Sequence, residues 1–129
     1  MLQLIPFFVI IPLLAAFLIM VAGKWAPNAG KYAAPFVLLF PAAMAILFLL
    51  TTREEVLVYK VGGWEPVNQI PVGIYLVMDG FTAIMVSIIC LIGFFSALYS
   101  VSYIRSYTSG NYYYALFCLM IAGMNGVVI

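Results

Sequence analysis

The sequence contains no histidine and very little charge of either sign. Its 129 residues include five Lys or Arg and four Asp or Glu, whereas 67% of them are hydrophobic. A soluble domain is about 25% charged and about 45–50% apolar, so these few polar groups could not cover a surface in water. The scarcity of Lys and Arg also excludes a basic stripe for a phosphate backbone. We therefore expect an integral membrane protein that contacts lipid and no nucleic acid.

Residues that bind metals or perform chemistry are equally scarce. The two cysteines, Cys90 and Cys118, lie inside apolar runs without histidine or acidic neighbours, a pattern typical of small buried side chains. No nucleophile–base pair, phosphate-binding glycine loop or ligand set for haem, flavin or an iron–sulfur cluster is present. The sequence therefore predicts no catalytic, cofactor-binding or metal-binding residue.

Four apolar segments predict membrane-spanning helices. They cover residues 4–22, 32–50, 81–103 and 112–129, close to the roughly 20 residues that cross the hydrocarbon core. Pro12 and Pro41 lie inside the first two segments, where proline in a membrane helix is typical of a tolerated kink. The predicted fold is an all-α integral membrane protein of four transmembrane helices, forming a single unit over residues 1–129.

A polar region at residues 51–79 separates the second and third segments. Two runs rich in β-branched and aromatic residues, 56–61 and 72–78, flank glycine and proline turn signals. We predict a β-hairpin with a wide loop on the membrane surface. An isolated hairpin is marginally stable in water, so it should pack on helix ends or on a partner subunit.

Two polar residues are the candidates for a site. Asp79 precedes the third segment, where an aspartate is a natural helix N-cap, with proton handling as the alternative role. Asn125 is the one strongly polar side chain in the last segment. It should hydrogen-bond a neighbouring helix, with contact to an ion path as the alternative.

Small residues predict two helix-packing faces. In the third segment Gly93 and Ala97 stand four apart, as do Ser96 and Ser100, and such residues let helices approach closely. The alternative for the serines is a hydroxyl-lined water path. In the last segment the predicted face consists of Cys118, Ala122 and Gly126.

Orientation follows from the basic residues near the segment ends. Lys24, Lys31 and Arg105 belong to the first and third connections, whereas Arg53 and Lys60 in the second are mixed with four acids. The positive-inside rule then places the first and third connections in the cytoplasm. The N-terminus and the hairpin should lie outside the plasma membrane.

The interiors of the four segments contain no Asp, Glu, Lys, Arg or His. Ion transport through a bilayer needs such residues, or carbonyl groups, at membrane depth. The chain alone therefore has no evident proton relay and is not expected to be catalytic by itself.

Several motifs resemble a known family. VGGWEP at residues 61–66 and PVGIYLVMDG at residues 71–80 resemble the GGW…P.GI.L..D signature of antiporter-like membrane subunits. YSVSY at 99–103, YYY at 112–114 and AGMNG at 122–126 are similar to the next motifs along the sequences of that family. Its members occur in respiratory complex I, in Mrp-type sodium/proton antiporters and in membrane-bound hydrogenases. The likeness is greatest to the D-type subunits of Mrp antiporters and to their counterparts in membrane-bound hydrogenases.

The resemblance implies a topology and a role. Such subunits have about fourteen helices, an external N-terminus and an external hairpin after the second helix. Their ion-translocating glutamate and lysines lie on later helices, so no transport residue can be assigned to a position of this chain. Asp79 corresponds to a family position at the base of the third helix, where we interpret it as structural.

The functional hypothesis is therefore a truncated or split antiporter-like subunit. It would act as a structural or docking part of an ion-translocating complex for H⁺ or Na⁺, redox-coupled or not. Other membrane subunits, including one with charged transport helices, would be its partners, and the apolar end at Ile129 favours such a partner. The alternatives are a small accessory or assembly protein with no transport role, and an autonomous homo-oligomeric transporter.

Overall fold

The computed structural model describes residues 2–26, 29–51, 55–63, 65, 67–70, 73–103 and 110–129. This part of the chain contains four α-helices and a two-stranded sheet. The helices are α1 (Phe7–Ala22), α2 (Ala29–Thr51), α3 (Gly80–Tyr103) and α4 (Gly110–Val128). These elements confirm the prediction of a mostly helical fold with a hairpin between the second and third helices.

The first helix begins three residues later than its apolar segment. Leu2–Leu4 form a 3₁₀ turn, and α1 starts at Phe7 with Pro6 in the N-cap position. A proline disfavours α-helical geometry in the residue before it, which separates the 3₁₀ turn from α1. By contrast, α2 begins at Ala29 instead of residue 32 and α4 at Gly110 instead of residue 112. A start at residue 32 would place Pro35 in the first turn of the helix; in the structure it consequently lies about one turn further inside α2.

Two helices in the described part of the chain are long and apolar enough to cross a membrane. They are Gly30–Thr51 and Gly80–Tyr103, both with a mean hydropathy of 2.4. Phe7–Ala22 and Tyr112–Val128 are apolar but shorter. The membrane character of the chain is thus supported most directly by α2 and α3.

The helices pack as a bundle in which α1 lies mainly against α4, and α2 mainly against α3. Buried side chains form three layers along it. The layer nearest the hairpin includes Ile5, Phe8, Phe48, Met78 and Cys90. The middle layer contains Leu38, Ala97 and Ile121, and the third includes Ala15, Ala16, Ala34, Tyr114, Ala115 and Cys118.

The hairpin consists of β1 (Leu57–Lys60) and β2 (Tyr75–Met78), paired antiparallel. Leu57 lies opposite Met78 and Tyr59 opposite Leu76. These four side chains face the first core layer, because alternate residues of a strand point to the same side. The hairpin therefore packs on the helix ends. This was one of the two locations expected for it, the other being a partner subunit.

Candidate functional site

Asn125 lies where three helices meet. Its side chain on α4 is 0% exposed. The amide Nδ2 donates a hydrogen bond to the backbone carbonyl oxygen of Phe8 on α1, at 3.0 Å. The Cys90 sulfur on α3 lies 3.7 Å from Nδ2 and 3.9 Å from Oδ1 of the same amide. One polar side chain on α4 thus contacts two other helices, α1 and α3.

The position of Asn125 follows from the periodicity of α4. Cys118, Ala122 and Asn125 are all buried, whereas Gly126 is exposed. At about 100° per residue, a residue seven positions on returns to within about 20° of the same direction, whereas eight positions overshoot by about 80°. Asn125 therefore lies closer to the direction of Cys118 than Gly126 does. Gly126 is at the edge of the predicted packing face, where a Cβ would lie 3.9 Å from Val9 Cγ2 of α1.

Asp79 sits at the N-cap of α3. Its Oδ1 accepts a hydrogen bond from the backbone N–H of Thr82 at 2.7 Å, and its carbonyl accepts one from the N–H of Ala83 at 2.9 Å. The Thr82 N–H stabilises the carboxylate and holds the pKa of Asp79 below its ordinary value of 3.8. At neutral pH the side chain is therefore an ionised helix cap.

Asp79 and Asn125 hydrogen-bond to different residues. The carboxylate serves the first turn of α3, whereas the amide joins α1, α3 and α4. The structure thus shows no shared polar contact between the two candidates among its described residues.

A second polar contact joins α3 and α4 at the other end of the bundle. Ser100 Oγ donates to the carbonyl of Ser96 at 2.7 Å and lies 3.1 Å from the Tyr113 hydroxyl. Since the Ser100 proton is used, the tyrosine is the donor in the second bond. Sequence reasoning grouped the two serines but missed Tyr113. The available signal was the spacing of Tyr113 and Phe117, whose rings stack with centroids 6.0 Å apart.

Ionisable side chains are nearly absent from the described helices. Of the residue types Asp, Glu, Lys, Arg and His, these described helices contain one example, Lys31 in the first turn of α2. The residues that the structure describes also contain no group of three or more His, Cys, Asp or Glu that could hold a metal. In this part of the chain, the buried polar side chains form hydrogen bonds within and between helices.

An apolar groove of about 290 Å³ separates α3 from α4. We call it the α3–α4 groove, and it is lined by side chains within residues 88–96 and 117–124. Ser96 is the single hydroxyl residue in this lining, which otherwise consists mainly of Ile and Met. Its described lining residues include no Asp, Glu, Lys, Arg or His.

Part of the chain is similar to known proteins. Residues 64–117 match the family described as NADH-Ubiquinone oxidoreductase (complex I), chain 5 N-terminus. This match spans β2, α3 and the first part of α4. The resemblance drawn from the motifs is thereby confirmed: this region is similar to the N-terminal part of antiporter-like subunits. AGMNG at residues 122–126 lies beyond the matched range.

A relative of the same kind is the probable D subunit of a K(+)/H(+) antiporter from Rhizobium meliloti (strain 1021). The two sequences are 35% identical over 69 residues, which is 54% of this chain and 12% of the relative. The chain therefore matches about one-eighth of the length of that protein.

Proposed function

We propose that this chain is a structural and docking part of a multi-subunit ion-translocating membrane complex. The complex would be of the complex I, Mrp antiporter or membrane-bound hydrogenase type. The observation that carries the proposal is the antiporter-like match at residues 64–117 on a helix, α3, without an ionisable residue of the Asp, Glu, Lys, Arg or His type. H⁺ would be exchanged with Na⁺, or with K⁺ as the name of the relative suggests.

The role is structural because ion transfer needs groups that the described helices do not supply. Buried charged or protonatable residues mark ion paths inside membranes. The buried polar residues here are Thr82, Ser87, Ser100 and Asn125, all neutral. A partner subunit would therefore provide the charged transport helices, and this chain would pack beside them.

In this proposal all four helices span the bilayer. At 1.5 Å per residue, the 16 residues of α1 and the 19 residues of α4 measure about 24 and 28 Å, against about 30 Å of hydrocarbon. Local thinning or flanking residues can accommodate such a difference. Large apolar side chains on α1, such as Phe17, Leu18 and Val21, are exposed and would contact lipid.

Exposed aromatic residues mark the end of the bundle opposite the hairpin. They flank the α1–α2 and α3–α4 connections: Trp25, Tyr32, Tyr99, Tyr103 and Tyr112. Trp and Tyr are enriched at membrane–water interfaces. This aromatic end would face the cytoplasm and the hairpin the outside, in the plasma membrane.

Purification in mild detergent tests the proposed role. The tagged chain, cross-linked in its native membrane, should be recovered with a larger membrane subunit that carries intramembrane glutamate and lysine. Deleting the chain should then reduce ion transport by that complex. Recovery of the chain alone would contradict the proposal. Association without any effect of deletion on transport would instead favour an accessory or assembly protein.

Thiol labelling tests the proposed orientation. Glu65→Cys, in a background of Cys90→Ala and Cys118→Ala, should react with a membrane-impermeant maleimide in intact cells. Trp25→Cys is the matched control, because this residue is 89% exposed at the opposite end and should react only after permeabilisation. The reverse pattern would overturn the orientation, and equal labelling of both would show a mixed topology.

A further inference from the structure

Pro12 removes one hydrogen-bond donor from the interior of α1. In an α-helix, each carbonyl accepts from the N–H four residues later. The regular donor for the Phe8 carbonyl would be residue 12, and a proline has no N–H. Pro12 is inside α1 and almost fully buried. The sequence therefore leaves the Phe8 carbonyl oxygen without its helical partner.

That carbonyl lies in the buried interior of the bundle. Phe8 is 2% exposed, and its ring packs edge-on against Phe48 of α2, with centroids 5.7 Å apart. A backbone carbonyl in such surroundings is costly without a donor, since water is not available to replace it. The missing donor must come from another helix.

Asn125 supplies a donor to this same oxygen. Its Nδ2 lies 3.0 Å from the Phe8 oxygen, and the residue is 0% exposed. We propose that Pro12 and Asn125 form a matched pair: the proline opens an acceptor on α1, and the amide of α4 closes it. Pro12 donates no hydrogen bond within α1, and the Asn125 amide donates its bond to α1 instead of to its own helix. This inference stands on the contacts alone and is independent of the proposed role in ion translocation.

The Pro12–Asn125 pair sets the register between α1 and α4. A slide of one helical turn, about 5.4 Å, would separate the amide from the single carbonyl that the proline opens. Both groups would then be buried without a strong partner. The rest of this contact includes Ala15, Ala16 and Ala115, whose side chains offer no directional bond. A buried polar residue that specifies register has precedent in coiled coils.

Cys90 is the third member of this contact. Its thiol lies 3.9 Å from the Asn125 Oδ1 and 3.7 Å from Nδ2. A thiol is a weak donor and a weak acceptor, so Cys90 orients the amide and adds less to the contact than the Phe8 carbonyl does. Cys90→Ala should therefore change the melting temperature less than Asn125→Leu.

A double-mutant cycle in lipid nanodiscs, with thermal unfolding of the full chain as readout, tests the pair. Asn125→Leu removes the donor at similar volume, and we expect a clear fall in melting temperature. Pro12→Ala restores an N–H at residue 12 that can serve the Phe8 carbonyl. In that background, Asn125→Leu should cost less than half of its effect in the natural chain. Equal costs in both backgrounds would overturn the pairing.

Two controls separate this coupling from general effects of removing a proline. Pro41→Ala alters a buried proline of α2, whose regular acceptor is the carbonyl of Val37, and it should not reduce the cost of Asn125→Leu. Ser100→Ala should be additive with Pro12→Ala. If Asn125→Leu alone does not fold, recovery of folded protein by Pro12→Ala supports the pairing. Recovery by Pro41→Ala as well, or no recovery at all, refutes it.

Discussion

The fourth helix meets α1 and α3 in different ways. Against α1 it places Ala115 and Cys118 beside Ala15 and Ala16, and Asn125 adds a hydrogen bond to the backbone. Against α3 it makes a narrow contact at Ile121, whose Cδ1 lies 2.7 Å from the position that a Cβ on Gly93 would occupy. The α3–α4 groove adjoins that contact.

The difference shows what joins helices in an apolar solvent. Lipid is as apolar as leucine, so close packing and hydrogen bonds must supply the association energy. The α1 face of α4 has both, through its alanines and the Asn125 amide. The α3 face has the close approach at Gly93, the bond between Tyr113 and Ser100 near its end, and the weak contact of Asn125 with the Cys90 thiol. Because the contact of α4 with α1 is the more extensive one, we expect it to tolerate added volume less well than the contact with α3.

A larger side chain on the α1 face of α4 should lower stability more than one on the α3 face. Ala115 is 2% exposed in the layer that also contains Ala15 and Ala16, so the larger side chain of Leu would have to displace its neighbours. We expect Ala115→Leu to lower the free energy of unfolding by about 2 kcal/mol, within the range for inserted methylenes in a packed core. Chemical unfolding in detergent micelles measures this change.

The same kind of change on the α3 face is the matched comparison. In Gly93→Ala the new methyl meets the flexible end of Ile121, which can turn toward the α3–α4 groove. A loss of less than about 1 kcal/mol is expected, below the usual cost of overpacking. If Gly93→Ala proves as damaging as Ala115→Leu, the two faces do not differ in the way described.

Asp79 should give the smallest effect. Asn caps a helix nearly as well as Asp, so Asp79→Asn should leave folding and ion transport by the assembled complex almost unchanged. Loss of transport with normal assembly would assign Asp79 a direct role in moving ions.

The Asp79 cap also predicts that the stability of the natural chain depends on pH. The pKa of Asp79 is lowered in the folded chain by the Thr82 N–H. Its stabilising contribution is therefore complete above the ordinary value of 3.8 and disappears as the pH falls through the lowered pKa. Melting curves of the natural chain should show this acid-side loss, and those of Asp79→Asn should lack its contribution.

Patterns within single segments predicted much of the fold. Hydropathy located the four helices within a few residues, and β-branched runs located the strands that the structure places at Leu57–Lys60 and Tyr75–Met78. These features are local because they depend on periodicity and turn residues. Asp79 precedes its helix in the sequence, so its capping geometry is local too.

Contacts between distant segments could not be derived in the same way. Pro12 was interpreted as a kink and Asn125 as a contact to an unspecified helix, and nothing in one segment indicates that they meet. Their pairing depends on how α1 lies against α4, which is a property of the packed bundle. Tyr113 was missed for the same reason, because its partner Ser100 lies on α3.

The Pro12–Asn125 pair is tested most directly by measuring the distance between the Asn125 amide and the Phe8 carbonyl. Solid-state NMR on lipid-embedded protein, with ¹⁵N in Asn side chains and ¹³C in Phe carbonyls, can detect this pair through its dipolar coupling. The Pro12–Asn125 pair predicts a coupling consistent with an Nδ2–oxygen distance of 3.0 Å, and this coupling should vanish in Asn125→Leu. No coupling in the natural chain, or one that survives the substitution, would contradict it.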